Sequence, residues 1–207
     1  MNRVLLVDES PLSRLGLYEL LKTGQSALTI VEAESFANAR VYLRETPGIA
    51  LVMLDINLRD CGGFVGLFEL RSEFPDIPVI ILSTHSDPES VSRAATFGAA
   101  GYISKSAPCE AILQTVSATL SGGSWTPDPL AAGVGQLNPI TSLSRAQLRV
   151  LTGLKRGLRN KQIAFEMGIT EQTVKSYMSK LYRKLGVNSR TQALILLQEA
   201  LSDSQLQ

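Results

Sequence analysis

Over residues 1–121 short apolar runs alternate five times with longer helix-patterned stretches, and after that point no further strand pattern occurs. Few folds accept this order, because strands separated by helical crossovers must run parallel in one sheet. The strands read as Arg3–Val7, Thr29–Ala33, Ala50–Leu54, Val79–Leu82 and Gly101–Ile103. Ala50–Leu54 and Val79–Leu82 are apolar throughout, as strands covered on both faces must be. Helices are predicted at Pro11–Lys22, Phe36–Glu45, Val65–Glu73, Pro88–Phe97 and Pro108–Leu120. Three of these begin with Pro, whose missing N–H costs nothing in a first helical turn. The expected fold class is α/β, a doubly wound five-stranded parallel sheet, followed by a second, all-α domain.

The second domain begins after a change in composition. Residues 122–141 are rich in Gly and Pro without an apolar period and read as a linker. Beyond them, Ser144 with Gln147 and Ser189 with Gln192 have the spacing of a capping box, which opens helices near 145–156 and 190–201. Between these, 160–167 and 171–185 flank Gly168, Ile169 and Thr170, the short Gly-containing turn of a helix-turn-helix. The expected division is 1–121, linker 122–141, and 142–207, consistent with a 207-residue chain longer than one common domain.

Charge divides at the same place. Residues 1–121 carry nine Lys/Arg against fourteen Asp/Glu, whereas 142–207 carry eleven against four. A basic C-terminal segment suits a nucleic-acid partner, since neutralised phosphates release counterions. No apolar run approaches the roughly 18 residues of a membrane span, and the opening apolar stretch stops at Asp8, so a cytoplasmic protein without membrane association is expected. Cys61 and Cys109 are too few and too distant for a metal knuckle and read as reduced thiols.

In an open parallel sheet, ligands bind beyond the carboxyl ends of the strands. Asp8 and Glu9 follow the first strand, Asp55 the third, Ser83 and Thr84 the fourth, and Lys105 the fifth. Three carboxylates gathered at one edge repel one another unless a cation neutralises them, and a hard ion with oxygen ligands, Mg²⁺ above all, meets that need. A lysine and a hydroxyl beside them can hold the oxygens of a transferred phosphoryl group.

With these residues in place, 1–121 resembles the receiver domains of two-component response regulators, which have a flavodoxin-like fold. The resemblance implies that Asp55 accepts the phosphoryl group, with Ser83 and Lys105 on its oxygens. It also implies that Asp8, Glu9, Asp55 and the backbone carbonyl of Asn57 hold Mg²⁺, and that Tyr102 is a switch aromatic coupled to Ser83. The chain departs from the common pattern at Glu9, where Asp is usual, at Arg59, where Pro is common, at Gly62–Gly63, and at Thr84, typically a smaller residue. His85, the only histidine, reads as a loop residue.

In the second helix of the C-terminal motif, Val174, Met178, Leu181 and Leu185 form one buried stripe. Gln172, Lys175, Ser176, Ser179 and Arg183 lie opposite, a face suited to the major groove. Residues 143–201 resemble the LuxR-type helix-turn-helix through Gly157, Asn160, Lys161, Ile163, Ala164, Gly168, Thr173, Val174, Lys175, Lys184, Leu185, Gly186 and Arg190. Gln147 stands where that family usually has Glu. Lys175 is the leading candidate for a base or phosphate contact; Lys161, Lys180, Arg183 and Arg190 are expected on the phosphate backbone. The last helix offers more apolar surface than one stripe buries, which dimerisation would cover.

Together the two resemblances imply a transcription factor of the NarL/FixJ group. It is expected not to be an enzyme beyond accepting phosphate on Asp55, with double-stranded operator DNA, a sensor histidine kinase, RNA polymerase and a second copy as partners. They also imply that the receiver covers the recognition helix before phosphorylation. Glu9, Arg59 and Thr84 keep open a rival reading, a phosphorylation-independent DNA-binding regulator whose receiver only dimerises; a second rival, a phosphotransferase or phosphatase with an aspartyl nucleophile, is opposed by the Lys105 spacing and the basic C-terminal domain.

Overall fold

In the computed structural model, β1 (Arg3–Val7), β2 (Thr29–Ala33), β3 (Ile49–Asp55), β4 (Val79–Ser83) and β5 (Gly101–Ser104) form one parallel sheet in the order β2-β1-β3-β4-β5. The structure describes residues 2–25, 27–61, 64–123, 140 and 143–201. The expected linker 122–141 lies outside them except at 122, 123 and 140, as do Gly62 and Gly63. Successive side chains of a strand point to opposite faces, and β1 uses both. Leu5 and Val7 join Phe36, Leu67, Phe68 and Ala94 from α2 (Phe36–Glu45), α3 (Val65–Glu73) and α4 (Pro88–Thr96). Val4 and Leu6 join Leu17, Leu21, Ile112 and Val116 from α1 (Pro11–Gly24) and α5 (Cys109–Leu120).

Strand ends differ from expectation where a neighbour supplies hydrogen bonds. Asp55 and Ser83, read as following their strands, are their last residues, because Asp55 pairs with Leu82 and Ser83 with Ser104. Pro108 lies one position earlier than expected, as the N-cap of α5 in an extended conformation at φ −55°, ψ 143°. Pro11 and Pro88 do sit in the first turns of α1 and α4, capped by Ser10 and Asp87. The Asp87 carboxyl, pushed up by burial but bonded by the backbone and hydroxyl of Ser90, ends below the ordinary carboxylate range. Cys61 is buried; desolvation, ahead of the Glu69 charge, pushes its thiol up to about 12, so it remains protonated.

The C-terminal residues form α6 (Arg145–Lys155), α7 (Asn160–Met167), α8 (Glu171–Leu185) and α9 (Arg190–Leu201). The capping box of Ser144 and Gln147 forms in full. At α9 only half of it forms: the Ser189 hydroxyl accepts from Gln192 N, but Gln192 Oε1 accepts from Asn188 N instead. Gly168 closes α7 at φ 67°, left-handed backbone that suits glycine. α7 approaches α6 so closely at Gly153 that a Cβ there would sit 2.8 Å from Ile163 Cγ1. Val174, Leu181 and Leu185 of α8 are buried as expected, with Met178 half-buried beside them.

α6 also packs on α3. Lys155 Nζ lies 2.8 Å from Glu69 Oε1, the Thr152 hydroxyl donates to Ser72 Oγ at 2.9 Å, and Arg145 pairs with Asp76 at 2.7 Å. From α4, Arg93 Nη2 donates to the carbonyl of Ala200 at 2.7 Å. Among the described residues, no helix is long and apolar enough to cross a membrane.

Candidate functional site

The carboxyl ends of β1, β3 and β5 bring Asp8, Asp55 and Lys105 together. The Lys105 ammonium lies 2.8 Å from Asp8 Oδ2 and 2.6 Å from Asp55 Oδ2, with Asp8 fully buried and Asp55 nearly so. Each carboxylate is oriented by its own loop. Asp8 Oδ1 accepts from Ser10 N at 2.9 Å and Oδ2 from the Ser13 hydroxyl at 2.6 Å; Asp55 Oδ1 accepts from Asn57 N at 3.0 Å. Lys105 is held through its own N–H, which donates to the carbonyl of Ser83 at 2.7 Å. Burial pulls the ammonium down, but the hydrogen bonds and charges of Asp55 and Asp8 outweigh it and leave Lys105 above its ordinary value.

Ser83 is buried at the adjacent strand end, and its Oγ accepts from His85 N at 3.0 Å. An accepted bond leaves the hydroxyl proton available to another oxygen. The loop that follows is tied to β5, because the Tyr102 hydroxyl donates to the carbonyl of His85 at 2.8 Å. Thr84 is exposed, its Oγ1 3.1 Å from His85 Nδ1. Ser83, Tyr102 and the β4–α4 loop therefore share one chain of contacts.

Glu9 does not join Asp8 and Asp55. Its Oε2 accepts from Arg59 N at 3.1 Å and its Oε1 lies 3.2 Å from Arg59 Nε. Among the described residues no group of three or more acidic or other metal-binding side chains comes together. The pair that does converge fits a hard cation: two buried carboxylates direct oxygens at one positive centre, and among the described residues Lys105 is the cation paired with both. Ser13, which orients Asp8, and Arg59, which engages Glu9, were not read from sequence as parts of this site. Ser13 carried a signal, since the first turn of α1 directly follows the acidic pair; Arg59 carried only its departure from the family pattern.

In the helical domain, Gln172, Lys175, Ser176, Ser179, Lys180 and Arg183 of α8 line one open concavity, and all six are exposed. The receiver contacts described above involve α6 and α9, so among the described residues the expected covering of the recognition helix is not found. Lys161 of α7 is also exposed. Lys175 pairs with Glu171 at 3.3 Å, an exposed i,i+4 contact that a stronger anion displaces readily. Arg190 has a different role from that expected: its guanidinium donates to the carbonyls of Leu158 at 3.0 Å and Leu154 at 3.1 Å, closing the end of α6.

Comparison with known proteins agrees with both halves. The response regulator receiver domain family matches residues 4–117 and the bacterial regulatory proteins of the luxR family match 141–197. A glycerol metabolism activator of Pseudomonas putida is 32% identical over 208 residues, covering 94% of either chain. The nitrate/nitrite response regulator protein NarP of Escherichia coli is 32% identical over 201 residues, covering 94% of this chain and 93% of its own. RcsB from Salmonella enterica serovar Typhimurium, solved bound to a promoter, shares the fold with a TM-score of 0.58 at 19% identity, over 95% of this chain and 98% of its own. The chain belongs to the response regulator transcription factors in which a receiver domain is joined to a luxR-type DNA-binding domain. Members are generally not enzymes, and their receivers typically bind Mg²⁺ at the phosphorylation site.

Proposed function

We propose that residues 1–121 receive a phosphoryl group on Asp55 and that this modification controls DNA binding by residues 142–207 through α8. The observation that carries the reading is the Lys105 ammonium bridging buried Asp8 and Asp55 at 2.8 and 2.6 Å. An Asp55 carboxylate oxygen attacks the phosphorus of a sensor kinase phosphohistidine, the P–N bond breaks, and an aspartyl phosphate results. Lys105 and the Ser83 hydroxyl then take phosphoryl oxygens. Bound by Asp8, Asp55 and the Asn57 carbonyl, with Glu9 as a further ligand, Mg²⁺ would supply charge neutralisation. The direct test is intact mass after incubation with acetyl phosphate and Mg²⁺. One added phosphoryl group per chain is expected; no addition favours the phosphorylation-independent reading, which the separation of Glu9 from the acidic pair supports.

The switch needs a group that binds one arrangement better than another. A phosphoryl oxygen that accepts the Ser83 hydroxyl proton draws that side chain toward Asp55, and with it His85, whose N–H donates to the same Oγ and whose carbonyl holds Tyr102. Beyond His85 the chain enters α4, whose Arg93 bonds the Ala200 carbonyl of α9. Movement of the β4–α4 loop thus reaches the DNA-binding domain without blocking α8. The half-exposed Ile195 on α9 would then contribute to a homodimer contact. On double-stranded operator DNA, Lys175, Gln172, Ser176 and Ser179 face base edges, with Lys161, Lys180 and Arg183 on phosphates, and RNA polymerase is the expected downstream partner. Lys175→Ala should weaken specific binding by about 1–3 kcal/mol if it contacts a base. Titration against operator and random duplexes at one salt concentration checks this; equal losses on both assign Lys175 to phosphate.

A further inference from the structure

Two positions at which the chain departs from the receiver pattern are bonded to each other. Arg59 engages both oxygens of Glu9, its backbone N–H donating to Oε2 at 3.1 Å and its guanidinium Nε lying 3.2 Å from Oε1. A proline at position 59 has neither an N–H nor a cationic side chain, so it makes neither contact. The loop that presents Arg59 is firmly anchored. Ile56 and Leu58 are buried within it, and the next residue, Asp60, accepts from Phe36 N at 3.0 Å and Ala37 N at 2.9 Å at the start of α2. With the loop tied on both sides of Arg59, its backbone N–H is fixed, so Glu9 reaches the acidic pair only by turning away from that donor and from the guanidinium.

We propose that Arg59 is a positioning residue that holds Glu9 apart from Asp8 and Asp55, so that filling of the acidic site by Mg²⁺ requires Glu9 to leave Arg59. This rests on the phosphorylation reading above. The Arg59 side chain is 91% exposed, so water and salt screen its attraction for Glu9. Such a clasp is shallow: it raises the Mg²⁺ concentration at which the site fills, and it does not close the site.

The test is calorimetric titration of the full chain with Mg²⁺, comparing the natural sequence with Arg59→Ala, Glu9→Gln and the double variant. Arg59→Ala keeps the backbone N–H and loses the guanidinium. It should bind Mg²⁺ about two- to fivefold more tightly, the range of a screened ion pair. In the Glu9→Gln background the same substitution should give no gain, because the clasped carboxylate is already gone. An equal gain in that background overturns the proposal, since Arg59 would then act only as a positive charge repelling the cation at a distance. No gain in either background overturns it as well. Absence of Mg²⁺ binding in all four proteins defeats the metal in the phosphorylation reading itself, and the proposal with it.

Discussion

Asp55→Asn is expected to take up no phosphoryl group from acetyl phosphate under conditions that label the natural chain. The amide has the shape of the carboxylate but is a poor nucleophile, and it loses the charge that strengthens the bond to Lys105. The fold should survive, because Asn57 N, which donates to Asp55 Oδ1 at 3.0 Å, can donate equally to an amide oxygen. Intact mass with and without Mg²⁺ reads the outcome. Labelling that persists in the variant moves the acceptor elsewhere, to Asp8 first, as the other carboxylate on Lys105.

Lys105→Met should cost the receiver about 3 kcal/mol at neutral pH without added Mg²⁺, because it leaves two buried carboxylates with no cation between them. Mg²⁺ distinguishes this from a packing defect, because a bound cation restores the missing charge and a cavity gains nothing from it. In the natural chain Lys105 is pulled down by burial, but its bonds and charges with Asp55 and Asp8 leave it above its ordinary value. Its raised value means that its contribution is fully present at neutral pH and is lost only above about pH 10. The urea midpoint at pH 8, followed by far-ultraviolet circular dichroism, should therefore be lower for the variant, and the difference should shrink above about pH 10. Added Mg²⁺ should recover more stability in the variant. A variant as stable as the natural chain at pH 8 would remove the ammonium from this role.

The acidic site was legible in part. Asp8, Asp55, Ser83 and Lys105 stand at strand ends, and a parallel sheet carries all its strand ends to one edge, so their convergence followed from the order of strands. The direction of Glu9 did not follow. Its side chain has three rotatable bonds, and whether it turns toward Asp55 or toward Arg59 depends on where the β3–α3 loop lies. Arg190 is a similar case: from sequence it was one more cation in a basic domain, and only the packing of α9 against the end of α6 brought the carbonyls of Leu154 and Leu158 within its reach.

By itself, the sequence determined the element order, the two domains and the faces of the helices. Those properties rest on short-range causes: apolar period, caps, and Gly or Pro at turns, each contained within a few residues. It also determined which strand ends carry acid, hydroxyl and amine. Tertiary structure alone decided where each strand stops, because the ladder partner of Asp55 or Ser83 is another strand distant in the chain. It likewise decided that the receiver meets α6 and α9 and leaves the polar face of α8 open. Such contacts join side chains many residues apart, among them Lys155 with Glu69 and Arg93 with Ala200. Long polar side chains take whichever partner the fold brings within hydrogen-bonding distance, and no local pattern records that choice.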